Sequence, residues 1–221
     1  MKNKFLIVLV FTTLTNAVNK KVLFKLRNQI YMAFWNRNKK DAEKYIKKLA
    51  KIAPPDWIAF HLRTAGDDTN GALHEAVDLG SKTAVETLLR SGMDVNDNAI
   101  RYGVTPLHIA AQTDNTEIAK ILIENGASID AAANNGNTPL INACIDCNKE
   151  MFQLLTFSCH AKMPANLLEI VEAEHFNRSN CIDKEETEKF REWLKKQIKI
   201  LTLIEQIKDS CKILDALCGS K

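Results

Sequence analysis

One phrase occurs three times at nearly fixed spacing, and it restricts the fold more than any other feature of the chain. GVTPLHIAA at 103–111 returns as GNTPLINAC at 136–144, and a blurred copy, TNGALHEAV, stands at 69–77. Aligned on Leu73, Leu107 and Leu140, the copies lie 34 and 33 residues apart. Fifteen residues after each anchor comes Leu88, Leu122 or Leu155, and nineteen after it Gly92, Gly126 or Cys159. At twenty-two the residues are Val95, Ile129 and Lys162, so the third copy decays at its end. Self-similarity at such a period marks a solenoid, in which each unit buries its apolar face only against its neighbours.

Each repeated residue has a structural reason. Thr105 and Thr138 stand where a side-chain oxygen can accept from the free donors of a helix start, and Pro106 and Pro139 follow at the first helical position, where no donor is needed. Ala110 and Ala111 are small where two antiparallel helices approach closely, while Ile118, Ile121 and Leu122 form an apolar face for the next unit to cover. Gly92 and Gly126 suit a left-handed helix end. These residues resemble the ankyrin repeat, whose pattern runs turn glycine, T-P-L-H-x-A-A, a second helix ending in L-L, then G-A-D-x-N. The matching residues are Gly103, Thr105, Leu107, His108, Ala110, Leu122, Gly126 and Ala127 in the second copy, with Leu73, His74, Ala76, Leu88, Leu89, Gly92, Asp94 and Asn96 in the first.

The resemblance implies an all-α protein: an ankyrin-repeat solenoid with helical N- and C-terminal flanking regions. It also implies that His108 and His74 bond toward the threonine and the neighbouring turn. No Ser, Asp or Cys recurs with them as a catalytic partner would. The expected organisation is an export signal over 1–17, a basic helical region over 18–55, the repeats with an N-terminal capping helix over 56–162, and a helical C-terminal region over 163–221.

The flanks carry their own signals. Lys2 and Lys4 precede the apolar run Phe5 to Phe11, and Thr15-Asn16-Ala17 supplies small residues at a cleavage point, the order of a secretory signal. Secretion is therefore the expected localisation; the alternative is a cytoplasmic chain with a buried N-terminal helix. Residues 19–51 hold eleven Lys and Arg against Asp41 and Glu43, a net +9 in a chain whose total is +3. That basic arm could cap the repeats with a solvated outer face or meet an anionic membrane surface, with Tyr31, Phe34 and Trp35 at the lipid interface. No base-reading or stacking motif points to nucleic acid. Helices are predicted over 22–35 and within 41–55, the latter stopped by Pro54-Pro55, with a shortened outer helix in 56–68. At the far end, Asp183 and Glu186 resemble a capping box for a long helix to about Leu217. Its broad stripe of Phe190, Trp193, Ile200, Ile204 and Ile207 predicts packing back onto a helix at 163–173.

Cys144, Cys147, Cys159 and His160 have residue types that bind zinc or exchange disulfides. The repeat alignment argues against this, because Cys144 falls at a packing position equivalent to Val77 and Ala111. The chain is read as non-enzymatic, without a cofactor or metal.

What remains is a surface for a protein partner. By the resemblance, recognition uses the hairpin tips and the exposed side of the first helices. This nominates Asp67, Asp68, Asn70, Asp78 and Leu79 in the first copy, and Arg101, Tyr102, Val104, Gln112 and Thr113 in the second. The third supplies Asn134, Asn135, Asn137, Ile145 and Asp146. Arg101 and Tyr102 are the preferred anchors, since these residue types dominate interface hot spots. By similarity to secreted ankyrin proteins, the expected role is an effector or adaptor.

Overall fold

The computed structural model describes residues 20–63, 71–98, 102–177 and 184–218, and every regular element among them is helical. It forms two compact units that divide between Lys162 and Met163. The 1–17 signal, Asp67, Asp68, Asn70, Arg101 and Asp183 lie outside the described residues.

In the first unit the three copies are three helix pairs: α4 (Ala72–Asp78) with α5 (Lys82–Arg90), α6 (Pro106–Gln112) with α7 (Thr116–Glu124), and α8 (Pro139–Ile145) with α9 (Lys149–Gln153). Leu73, Leu107 and Leu140 all have zero exposure, so the anchors occupy equivalent inward sites on successive pairs. Helix α4 packs on α6 and α6 on α8, while α5 packs on α7. Each pair turns in the same way. The seventh residue after the anchor takes a left-handed conformation (Gly80, Asp114, Cys147), and the eighth caps the second helix (Ser81, Asn115, Asn148). That eighth residue donates its N–H to the alanine five residues back, at 2.9, 3.0 and 2.8 Å for Ala76, Ala110 and Ala143. A larger residue in place of those buried alanines would push the paired helices apart.

The same turn occurs a fourth time, where no repeat phrase announces it. Helix α1 (20–35) and helix α2 (Lys39–Ile52) meet at Arg37, φ +50°, and at Asn38, whose side chain accepts from the Asp41 N–H. Asn38 N–H donates to Ala33 O at 2.8 Å, and Ile30, three residues before Ala33, has zero exposure. Ile30 is thus the anchor of a further helix pair. Its α2 packs on α5 and buries Ala42, Ile46 and Leu49, and polar bonds tie the two turns together. Arg37 Nη1 meets Asp78 Oδ2 at 2.7 Å, Lys39 Nζ donates to Gly80 O at 2.6 Å, and Ser81 Oγ donates to Glu43 Oε1 at 2.6 Å. The shortened helix expected in 56–68 is α3 (Pro55–Leu62), but it is α2 that packs on α5 of the first repeat. Of the aromatics offered for a lipid interface, Phe34 is buried and Tyr31 is half-buried, where desolvation pushes its phenol up to about 12.

The third copy departs from its siblings at its end. In the first two, the glycine nineteen residues after the anchor turns left-handed, with φ +82° at Gly92 and +89° at Gly126. Here Cys159 stands at that position, and the left-handed residue is His160, φ +56°. The extra residue is absorbed by one π turn, Leu154–Ser158, continuing α9. The closing bond lengthens in step: Ala127 N–H reaches back five residues to Leu122 O, whereas Ala161 N–H reaches back six to Leu155 O.

The second unit pairs α10 (Leu167–Asn177) with the start of α11 (Lys184–Cys218). Leu167, Val171, Phe190 and Leu194 are buried. The expected helix at 163–173 begins later, at Leu167, and the predicted packing of the stripe holds only for its first turns. Ile200, Leu203 and Ile207 are exposed at 44%, 48% and 61%.

Candidate protein-binding surface

Two histidines hold the tips in place. The Nδ1 of His108 lies 3.1 Å from the Thr105 N–H and 2.8 Å from Thr105 Oγ1, and its Nε2 lies 3.0 Å from Asn137 O. The neutral imidazole with the proton on Nε2 satisfies this set, accepting from Thr105 and donating to the next repeat. His74 Nε2 likewise donates to Val104 O at 2.9 Å. Its Nδ1 makes no hydrogen bond among the described residues, because Gly71 stands where the second copy has Thr105. Burial lowers the pKa of both imidazoles. Each is a strut between consecutive repeats.

These struts fix the loops from which a partner would be met. Val104 and Asn137, both nominated for recognition, give their carbonyls to the histidines. Asn134 N–H donates to Tyr102 O at 2.9 Å, tying the second tip to the third. Gly103, φ +66°, is required there, since a Cβ would stand 2.4 Å from Asn134 Oδ1. Asn135 Oδ1 accepts from Asn137 N–H, rounding the third tip, where Gly136 is also left-handed. Further back, Asn96 Nδ2 donates to Gly126 O at 3.0 Å and Asn96 Oδ1 accepts from Ser128 N–H at 2.7 Å. Asp130 Oδ1, at the equivalent position one repeat later, accepts from Lys162 N–H at 2.8 Å.

On that pinned backbone, Tyr102 is 61% exposed, and Gln112, Thr113, Asn134 and Asn135 are exposed with it. Asp78 is engaged by Arg37, and Ile145 is buried at 2% exposure, so it is a packing residue rather than a partner contact. Leu79 and Asp146 are half-buried. Sequence reasoning places Trp35, 83% exposed, only at a lipid interface and misses its register on this surface. Trp35 follows its anchor Ile30 by five residues, the register of Asp78 after Leu73 and Gln112 after Leu107. The signal was present in the spacing from Ala33 to Asn38, but required knowing that α1 and α2 form a repeat-like pair.

Cys144 is sealed in the core, where burial raises its pKa well above the ordinary thiol value, Cys147 occupies the left-handed turn, and Cys159 closes the π turn. Among the described residues no three His, Cys, Asp or Glu side chains gather as a metal site would require.

Stacked helix pairs joined through their tips, with polar and aromatic groups left outward on a rigid frame, define a helical repeat scaffold for recognition. Residues 73–166 match the family model for ankyrin repeats in three copies, and this segment of the chain is an ankyrin-repeat array. It is similar to the ankyrin repeat protein FPV240 of fowlpox virus, 43% identical over 63 residues, which are 28% of this chain and 15% of that protein. It is also similar to the chicken NF-kappa-B inhibitor alpha, 38% identical over 73 residues, 33% of this chain and 22% of that one. The human transient receptor potential cation channel subfamily A member 1 is 34% identical over 116 residues, 52% of this chain and 10% of the channel protein. In each case the chain spans less than a quarter of the relative's own length.

Proposed function

We propose that this chain is a non-enzymatic adaptor that captures a protein partner on the tips of its second and third repeats, with Tyr102 as the central anchor. Ankyrin repeats mediate protein–protein interaction, and one observation supports this site in particular: Tyr102 is 61% exposed while its backbone is held by the Asn134 N–H. A rigid aromatic on a fixed backbone loses little entropy on binding, which favours it as a hot spot. Gln112, Thr113, Asn134 and Asn135 supply adaptable hydrogen bonding around it, and Arg101 is the adjoining cation. Export through residues 1–17, as a secreted effector, belongs to the same proposal and is tested by N-terminal sequencing of the mature product.

The test immobilises the full chain and its Arg101→Ala/Tyr102→Ala variant and compares capture of one partner identified with the parent. We expect at least about tenfold weaker capture, since hot-spot truncations cost roughly 2 kcal/mol or more, with the melting transition unchanged. Undiminished capture would remove the surface. Attachment to a membrane is a separate reading, favoured by the lysines of α2.

A further inference from the structure

Helix α2 has two faces of different character. Ala42, Ile46 and Leu49 are buried. Opposite them, within a sector of about 100° at 3.6 residues per turn, stand Lys40, Lys44, Lys47, Lys48 and Lys51, all exposed. The acids of the same helix do not neutralise this strip. Asp41 accepts from the capping Asn38, and Glu43 is held by Ser81. Among the described residues none of the five lysines is paired with a carboxylate.

Five pairs in this strip, 40/44, 44/47, 44/48, 47/51 and 48/51, place like charges three or four residues apart, an arrangement that destabilises a helix. The exposed helix α11 in the same protein resolves this problem in the usual way, with Lys189–Glu185, Arg191–Glu188, Lys195–Glu192 and Lys212–Asp209 pairs. Helix α2 retains the repulsion. A strip whose lysines meet no carboxylate among the described residues, with only Lys44 resting over an aromatic ring, that of Tyr45 at 5.3 Å, is complementary to anions outside it.

The form of the strip selects the kind of anion. It lies on one straight helix, spanning about 16 Å at 1.5 Å per residue, and so fits a plane better than a groove. It contains only lysine, a compact point charge without the planar fork that arginine uses on nucleic acids. Ile52, 51% exposed, follows Lys48 and Lys51 at its end, and basic amphipathic helices with a flanking apolar group bind anionic bilayers. We infer that the lysine face of α2 docks this protein onto an anionic lipid surface.

Co-sedimentation of the full chain with vesicles of phosphatidylserine and phosphatidylcholine, against vesicles of phosphatidylcholine alone, tests this. Binding is expected only to the anionic vesicles and is expected to fall with added salt. Removing one lysine should weaken it about fivefold, and Lys44→Glu/Lys47→Glu/Lys51→Glu should abolish it. Replacing the same three by arginine should preserve it, and circular dichroism should show unchanged helicity in both variants. Equal binding to neutral vesicles, undiminished binding by the glutamate variant, or binding to duplex DNA in preference to the anionic vesicles would overturn the inference.

Discussion

The imidazole of His108 joins two repeats: its Nε2 lies 3.0 Å from the carbonyl oxygen of Asn137, 29 residues further along the chain. The same ring receives Thr105 on its other nitrogen, so one side chain closes its own helix start and fixes the following tip. Stability of the array should therefore follow the protonation of this ring and of His74.

Burial holds both imidazoles neutral, with pKa values below the ordinary 6.5. Above 6.5 neither folded nor unfolded rings are charged and stability is full. As pH falls below that value, the unfolded chain takes up protons that the folded rings refuse. Stability then declines, by up to about 1.4 kcal/mol per pH unit for each histidine, until the folded pKa is reached. Urea unfolding at several values between about pH 7.5 and 5.5 should show this decline. His108→Gln should lower stability at neutral pH and flatten the slope; an unchanged slope would show that other groups carry it.

Gly71→Thr restores the repeat phrase in the first copy and should nonetheless weaken the protein. A Cβ at this position would lie 2.3 Å from Arg63 O, a backbone atom that cannot move aside without displacing the end of α3. Overpacking of this kind costs about 1–3 kcal/mol, which outweighs the ~1 kcal/mol a helix cap provides. A higher denaturation midpoint for the variant would contradict this.

His160→Gly should stabilise the third repeat. His160 holds φ +56° without being a glycine, and a left-handed conformation costs an ordinary residue about 1–2 kcal/mol. Part of that gain is returned as unfolded-state entropy, leaving a net rise of roughly 0.5–1 kcal/mol in thermal or chemical unfolding. A loss of stability would mean that the ring makes a contact worth more than the strain.

Ile30→Ala should destabilise the chain by about 2–5 kcal/mol, the range for a large aliphatic side chain removed from a packed core. Ile30 is fully buried although it lies in the basic N-terminal region. Hydrogen exchange should show the loss concentrated in α1, α2, α4 and α5. Arg37→Ala, which removes an exposed ion pair with Asp78, should cost under ~1 kcal/mol.

The repeats were legible because their chemistry is local. Thr138 followed by Pro139 announces a helix start, and Gly126 announces an end, from a few residues alone. The α1–α2 pair was not legible as a fourth unit. Tyr31 stands where the other copies have His74 and His108, no Thr-Pro precedes it, and α3 stretches the spacing from Ile30 to Leu73 to 43 residues. The π turn was hidden too, since nothing in Leu154–Ser158 distinguishes a turn with one residue more from an ordinary one. On the candidate surface, Ile145 was nominated by position although only packing decides that it is buried, whereas Trp35 was missed in this role because its register depends on the unrecognised turn at Arg37 and Asn38.

Because His74 reaches to Val104 and His108 reaches to Asn137, the array has a direction, each unit grasping the one that follows it. Ile141 breaks the succession: a hydrocarbon cannot grasp anything beyond it. Heating should therefore peel the array like a row of linked hands released at its last member, with the third helix pair, which is grasped by His108 but grasps nothing in turn, loosening before the second, which is linked on both sides.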